Sequence, residues 1–227
     1  YTDIYDTDTV FQCIKAWGPN DQLTMDQLRS KVIVLLKLDL MCRSDDLTKL
    51  YRHPTTMVLS NDELVVRFYR TKEATHLTPP IHIPVFPDDQ DLCTVSAVKL
   101  YFRRTQGMVR DSATVLIEGK HQATGPLIVD SHGQAIGSQR VSKLAKAVLL
   151  EAGIDPKFKS HSTRSAAISK AIDMGISKDR VMYHARISSE TVLHRHYLRL
   201  ITGMPAVQVN PNTAIARALR HSFVNPP

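Results

Sequence analysis

A histidine and an arginine three residues apart, His161 and Arg164, stand at the head of the helical segment HSTRSAAISKAIDMG. Residues at that spacing share a helical face, so an imidazole and a guanidinium point at one object. Alone the pair is a weak signal, because an H-x-x-R spacing recurs by chance in chains of this size. A second cluster, HRHY from His194 to Tyr197, sets two histidines beside a phenol. A two-histidine metal site of the kind that serves a tyrosine nucleophile needs both imidazoles on one strand face with an apolar residue between them. Here Arg195 intervenes, and the pattern is helical. Asp88, Asp89 and Asp91 fall in a proline-flanked turn and read as solvated rather than as carboxylates gathered on a sheet.

The 227 residues suffice for one large domain or two small ones, and 43% apolar with 22% charged residues is the composition of an ordinary packed protein. Cys13, Cys42 and Cys93 are odd in number and widely spaced, so they signal neither a disulfide framework nor a zinc site and read as reduced intracellular thiols. No apolar run reaches bilayer length and no basic-then-apolar leader opens the chain, which excludes membrane spans and secretion from the expectations. The chain begins at Tyr1 rather than Met and reads as part of something longer, with an upstream domain expected. Its charge of +7 is uneven: residues 140–227 hold 14 basic and 5 acidic side chains. A positive C-terminal part suits a polyanion such as DNA.

Several elements must position these groups. Thr24 to Met41, with Leu28, Val32, Val34, Leu35, Leu36, Leu38 and Leu40, is apolar over too wide an arc for a surface helix, so a buried helix begun by Thr24 or Asp26 is expected. A short helix from Asp45 to Tyr51 follows. MVLS, ELVVRFYR and IHIPVF are Val-, Ile- and aromatic-rich runs that predict a small antiparallel sheet, with TKEATHLTPP as a mobile turn holding Lys72. LCTVSAVKLYFRRT and SQRVSKLAKAVLLEAG predict helices, the second stopped by Gly153; TVLIEG and PLIVDSHG between them predict short extended pieces. HSTRSAAISKAIDMG, SKDRVMYHA and SSETVLHRHYLRL predict three successive helices punctuated by Gly175 and Ser188. The fold class is mainly α with a small antiparallel β-sheet. Residues 1–202 form the domain, and 203–227 a linker and tail helix (NTAIARALRHSF) expected to dock either on a neighbouring subunit or on its own domain.

Four segments taken together are more specific than the pair. DLMCRSDDLTKL, with Arg43 and Asp46, resembles the first arginine box of the tyrosine recombinase (phage integrase) family. FYRTKEATHLTPPIHIPVF resembles the β-hairpin carrying that family's lysine, here Lys72. HSTRSAA resembles its HxxR box, here His161 and Arg164. ISSETVLHRHYLR resembles the helix that presents its nucleophile, here Tyr197. The boxes fall in the family's order from about Gln22 to Arg199. LCTVSAVKLYFRR and the Ser-Ser-x-Thr run look more like eukaryotic crypton and DIRS mobile-element recombinases than bacterial integrases. One position departs from the pattern: Ile187 stands where the family places a His or Trp that braces the phosphate, and His184, a turn earlier, is a candidate substitute.

The resemblance implies the tyrosine recombinase catalytic domain fold and double-stranded DNA as partner. It further implies a tetramer on paired sites for the full-length protein, and nuclear localisation in a eukaryote or cytoplasmic otherwise. The residue types suit that chemistry in their own right. Two planar guanidiniums, Arg43 and Arg164, bind the nonbridging oxygens of an attacked phosphodiester without a metal. A tyrosine hydroxyl, with a reference pKa of about 10, becomes a nucleophile when nearby cations favour its charged form. His161 serves as hydrogen-bond donor or proton shuttle, and Lys72 protonates the departing 5′-oxygen. The bond energy is retained in a phosphotyrosine, so neither ATP nor another cofactor is expected. The rival reading is a domesticated, non-catalytic DNA-binding protein that keeps the fold; Ile187 favours it, and the retained nucleophile opposes it.

Overall fold

The computed structural model describes residues 3–68, 77–110, 113–117, 119–201 and 214–220. Its centre is α2 (Met25–Asp39), whose residues from Val32 to Asp39 are all buried. The helix starts where the sequence places it: Thr24 Oγ1 accepts from Gln27 N at 3.2 Å while Gln27 Oε1 accepts from Thr24 N at 3.0 Å. Burial on every side reflects its neighbours, α4 (Thr94–Thr105), α5 (Ser138–Glu151) and α6 (Ser162–Asp173), which pack around it. α5 ends at Gly153, whose φ of +75° lets Ile154 N bond back to Leu149 O at 2.9 Å. Gly175, at φ +90°, ends α6 in the same way.

β2 (Met57–Leu59), β3 (Glu63–Val66) and β4 (Ile81–Pro84) form the expected antiparallel sheet in the order 2-3-4. Leu64, Val66, Ile81 and Ile83 turn to the core. Phe68 and Thr78 clasp the base of the β3–β4 connection: Phe68 N donates to Thr78 Oγ1 and Thr78 N to Phe68 O, both at 2.9 Å. Lys72 lies in this connection, outside the described residues. TVLIEG contributes β5 (Ala113–Ile117), which pairs with β6 (Lys120–Thr124). PLIVDSHG makes only isolated bridges.

Two features exceed the expectations. Asp6 accepts from Asp8 N and starts α1 (Thr7–Ala16), which buries Val10, Phe11 and Ile14. Ahead of it, β1 (Asp3–Ile4) pairs in parallel with β7 (Leu200–Ile201), so the two ends of the domain close on each other just after Tyr197. Lys170 of α6, buried, reaches Asp6 at 2.8 Å and also Asp8.

Of the tail, residues 214–220 are described, and they lie on their own domain, the alternative to docking on a neighbouring subunit. α9 (Ile215–Ala218) packs on α2 of its own chain, and the physical reason is Asp39, a fully buried carboxylate that needs a counter-ion. Arg220 supplies it, with Nη1 at 2.7 Å from Oδ1 and Nη2 at 3.1 Å from Oδ2, while its Nε donates to Leu92 O. No described helix is long and apolar enough to cross a membrane.

Candidate active site

Arg43 sits between α2 and α3 (Ser44–Thr48). The chain turns sharply there because Met41 adopts φ +45°, one of two left-handed non-glycine residues among those described. Asp46 Oδ2 accepts from Arg43 N at 3.0 Å, which pins the corner. The side chain then reaches across the domain, and Arg43 Nη2 donates to the Tyr197 hydroxyl at 3.1 Å.

Tyr197 terminates α8 (Glu190–His196) rather than lying within it, so its phenol leaves the helix end. Ser169 of α6 holds the backbone on both sides, donating to Tyr197 O at 3.2 Å and accepting from Arg199 N at 2.9 Å. β7 begins immediately afterwards. The nucleophile candidate is thus fixed by the H-x-x-R helix and by the N-terminal strand.

Arg164, three residues into α6, is 2% exposed. Its guanidinium carbon lies 4.7 Å from the centre of the Tyr197 ring, and Nη2 donates to Ala185 O at 2.6 Å. Nη1 is 4.0 Å from Asp46 Oδ2. Its Nε and Nη1 have no hydrogen-bond partner among the described residues. Burial pushes its pKa down; Tyr197 and Asp46 oppose this, and Arg43 and Arg186 add to it. The group remains a cation at neutral pH. Two guanidinium donors without a hydrogen-bond partner beside a phenol are groups that an oxyanion with several acceptors can satisfy.

His161 occupies the position before α6, at the protein surface. Partial burial, then Lys159 and Lys37, hold its pKa below the ordinary value, so it is neutral at pH 7. No hydrogen bond joins it to Tyr197 among the described residues. The structure therefore brings Arg43, Arg164 and Tyr197 together in direct contact and places His161 at the head of the same helix.

His184 does not stand in for the donor that Ile187 lacks. Its Nε2 donates to Asp39 O at 2.5 Å, fastening α7 (Lys178–Ala185) to α2, and burial pushes its pKa to about 4. Ile187 is buried and its side chain can donate nothing. Because the folded protein keeps His184 neutral while the unfolded chain protonates it near 6.5, its contribution is complete above pH 6.5. It is lost as pH falls towards 4. His184→Gln keeps an N–H donor without the titration, so between pH 7 and 4.5 wild type should lose about 2 kcal/mol more than the variant in denaturant unfolding. Parallel curves would show that His184 is protonated in the fold.

His194 and His196 are exposed; His194 meets Lys178 and Glu190. Among the described residues no group of three His, Cys, Asp or Glu is placed to hold a metal ion. Arg186, Ser169 and Lys37 were not singled out by sequence. Lys37, buried in α2, donates to Ser44 Oγ at 3.1 Å next to Arg43, and burial pushes its pKa down. A lysine inside an otherwise apolar helix was the available signal.

A buried central helix, a three-stranded sheet at one end and a C-terminal run of short helices delivering a tyrosine to two arginines make up the tyrosine recombinase catalytic domain fold. Over 97% of this chain the XerH site-specific recombinase, solved as a post-cleavage complex on a palindromic difH substrate, superposes with TM-score 0.62 at 10% identity. XerA recombinase gives 0.60 at 14% identity over 97% of the chain, and a lambda integrase dimer on a COC′ core site gives 0.52 at 14% over 92%. The chain spans 50% of the XerH chain and 64% of each of the other two. No family model and no curated protein matches the sequence.

Proposed function

We propose that this chain breaks and rejoins DNA strands through a covalent tyrosine intermediate, with Tyr197 as nucleophile. The observation that carries this reading is the contact of Arg43 with the Tyr197 hydroxyl, beside a buried Arg164 that has two donors to spare. Both arginines offer charge to the nonbridging oxygens of a phosphodiester. Tyr197 Oη attacks phosphorus, the phosphorus–O5′ bond breaks, and Lys72 gives a proton to the departing oxygen. Neutral His161 is available to accept and relay the phenol's proton. Rejoining is the reverse, with a 5′-hydroxyl attacking the phosphotyrosine, so the reaction needs neither ATP nor a metal.

The positive C-terminal part supplies phosphate contacts along the duplex, and assembly of four subunits on paired sites is drawn by analogy from lambda integrase, solved as a tetramer bound to a Holliday junction. The crypton- and DIRS-like segments point to a mobile-element origin. A non-catalytic DNA-binding role is the second reading, favoured by Ile187 at the brace position. A nicked duplex in EDTA separates the two. The catalytic reading expects a covalent protein–DNA species joined at a 3′-phosphate with a free 5′-hydroxyl on the released strand. Binding without any such species would support the second.

A further inference from the structure

Arg186 lies between α7 and α8, eleven residues before Tyr197 in the chain. It is the second non-glycine residue in the left-handed region, at φ +58°. A side chain there costs about 1–2 kcal/mol relative to glycine, and such strain persists where the surroundings impose it. The conformation turns the side chain inwards until it is 8% exposed. Its guanidinium carbon sits 4.1 Å from the centre of the Phe68 ring at the clasp of the β3–β4 connection, and Nη1 donates to His184 O at 3.3 Å. Nη2 comes within 3.7 Å of Asp46 Oδ2, the oxygen that also faces Arg164 Nη1 at 4.0 Å.

One buried carboxylate oxygen therefore faces two guanidiniums while fixing the backbone of a third arginine, Arg43. Without Arg186, Asp46 would draw Arg164 into a full ion pair and occupy its Nη1, which lies 4.0 Å from Asp46 Oδ2. With Arg186 as its counter-ion, Asp46 holds Arg164 loosely, at 4.0 Å. We propose that Arg186 is a positioning residue of the site: it neutralises Asp46 so that Arg164 is left to the phosphate, offsetting the missing donor at Ile187.

This inference rests on the strand-cleavage reading above, and the test separates the two. Adduct formation on a nicked duplex is timed at saturating DNA for wild type, Arg186→Gln, Arg186→Lys and Arg186→Gln/Asp46→Asn, with DNA affinity and melting temperature measured alongside. Removing a supporting charge one step from the reacting centre should slow Arg186→Gln by about 10- to 100-fold with affinity nearly unchanged. Arg186→Lys, which keeps the charge, should stay within several-fold of wild type. The double variant should recover part of the rate, because an uncharged amide in place of the Asp46 carboxylate no longer competes for Arg164, whereas a merely structural role gives no recovery. Arg186→Gln at the wild-type rate, or a double variant no faster than it, overturns the proposal while the cleavage reading stands. If Arg186→Gln does not fold, Arg186→Lys decides: a rate as low as that of Arg164→Ala overturns it. A wild-type protein that forms no adduct defeats the cleavage reading first, and this inference with it.

Discussion

Arg164→Ala should lower the rate of covalent adduct formation by about 10²- to 10³-fold, the usual effect of removing one preorganised donor from a developing oxyanion. It should also weaken DNA binding modestly, because a phosphate-facing charge is lost. The effect is large because the guanidinium serves twice. Its Nε and Nη1 have no hydrogen-bond partner among the described residues, and its guanidinium carbon lies 4.7 Å from the centre of the Tyr197 ring. Arg164→Lys should recover little, since an ammonium offers neither the fork nor the stacking plane. Single-turnover kinetics on a nicked duplex measure this, and a loss below about threefold would place the phosphate elsewhere.

Arg220→Ala should destabilise the fold by about 3–5 kcal/mol, because it strands Asp39 as an uncompensated charge in the core. Asp39 is fully buried, Arg220 is 1% exposed, and the pair carries further hydrogen bonds to Thr94 Oγ1 and Leu92 O. At about 2–4 °C per kcal/mol for a domain of this size, the melting temperature should fall by roughly 6–20 °C. Replacing both partners, Asp39→Asn with Arg220→Met, should restore at least half, since the loss comes from the unpaired charge and not from the missing contact. The same ion pair makes the tail part of the domain that carries the site: Asp39 O also anchors His184, and α7 leads directly to Arg186 and Ile187. An unchanged melting temperature in Arg220→Ala would mean that residues 214–220 leave this seat in solution.

The sequence exposed the elements whose signal is local. The apolar arc from Leu28 to Leu40 with its Thr24 cap announced α2, Gly153 and Gly175 announced helix ends, and the Val- and Ile-rich runs announced the sheet. It was blind where the determinant lies far along the chain. β1 and β7 are two residues each and exist because they pair with each other across almost the whole domain, a contact without local pattern. α1 was passed over because its apolar stripe is three residues long. The tail reads as a free amphipathic helix until Asp39, an acid inside an apolar helix, is seen to need Arg220.

The site divides in the same way. Arg43, Arg164 and Tyr197 could be named from residue type, order and resemblance, and the fold brings them into contact. Arg186 could not, because nothing in HARISSE marks an arginine that will take a left-handed conformation and turn inwards. His184 could be noticed but not assigned, since only the position of Asp39 O decides that it fastens two helices together instead of facing a phosphate.

The identity of the nucleophile is tested most directly with a nicked suicide substrate in EDTA, resolved on a denaturing gel, comparing wild type with Tyr197→Phe. The substitution removes one hydroxyl and leaves the ring that packs against Arg164. Wild type should give a slow-migrating protein–DNA band, and Tyr197→Phe should give none while binding the same duplex with nearly equal affinity. A shifted band that persists in Tyr197→Phe would contradict the account, because the covalent bond would then belong to another residue.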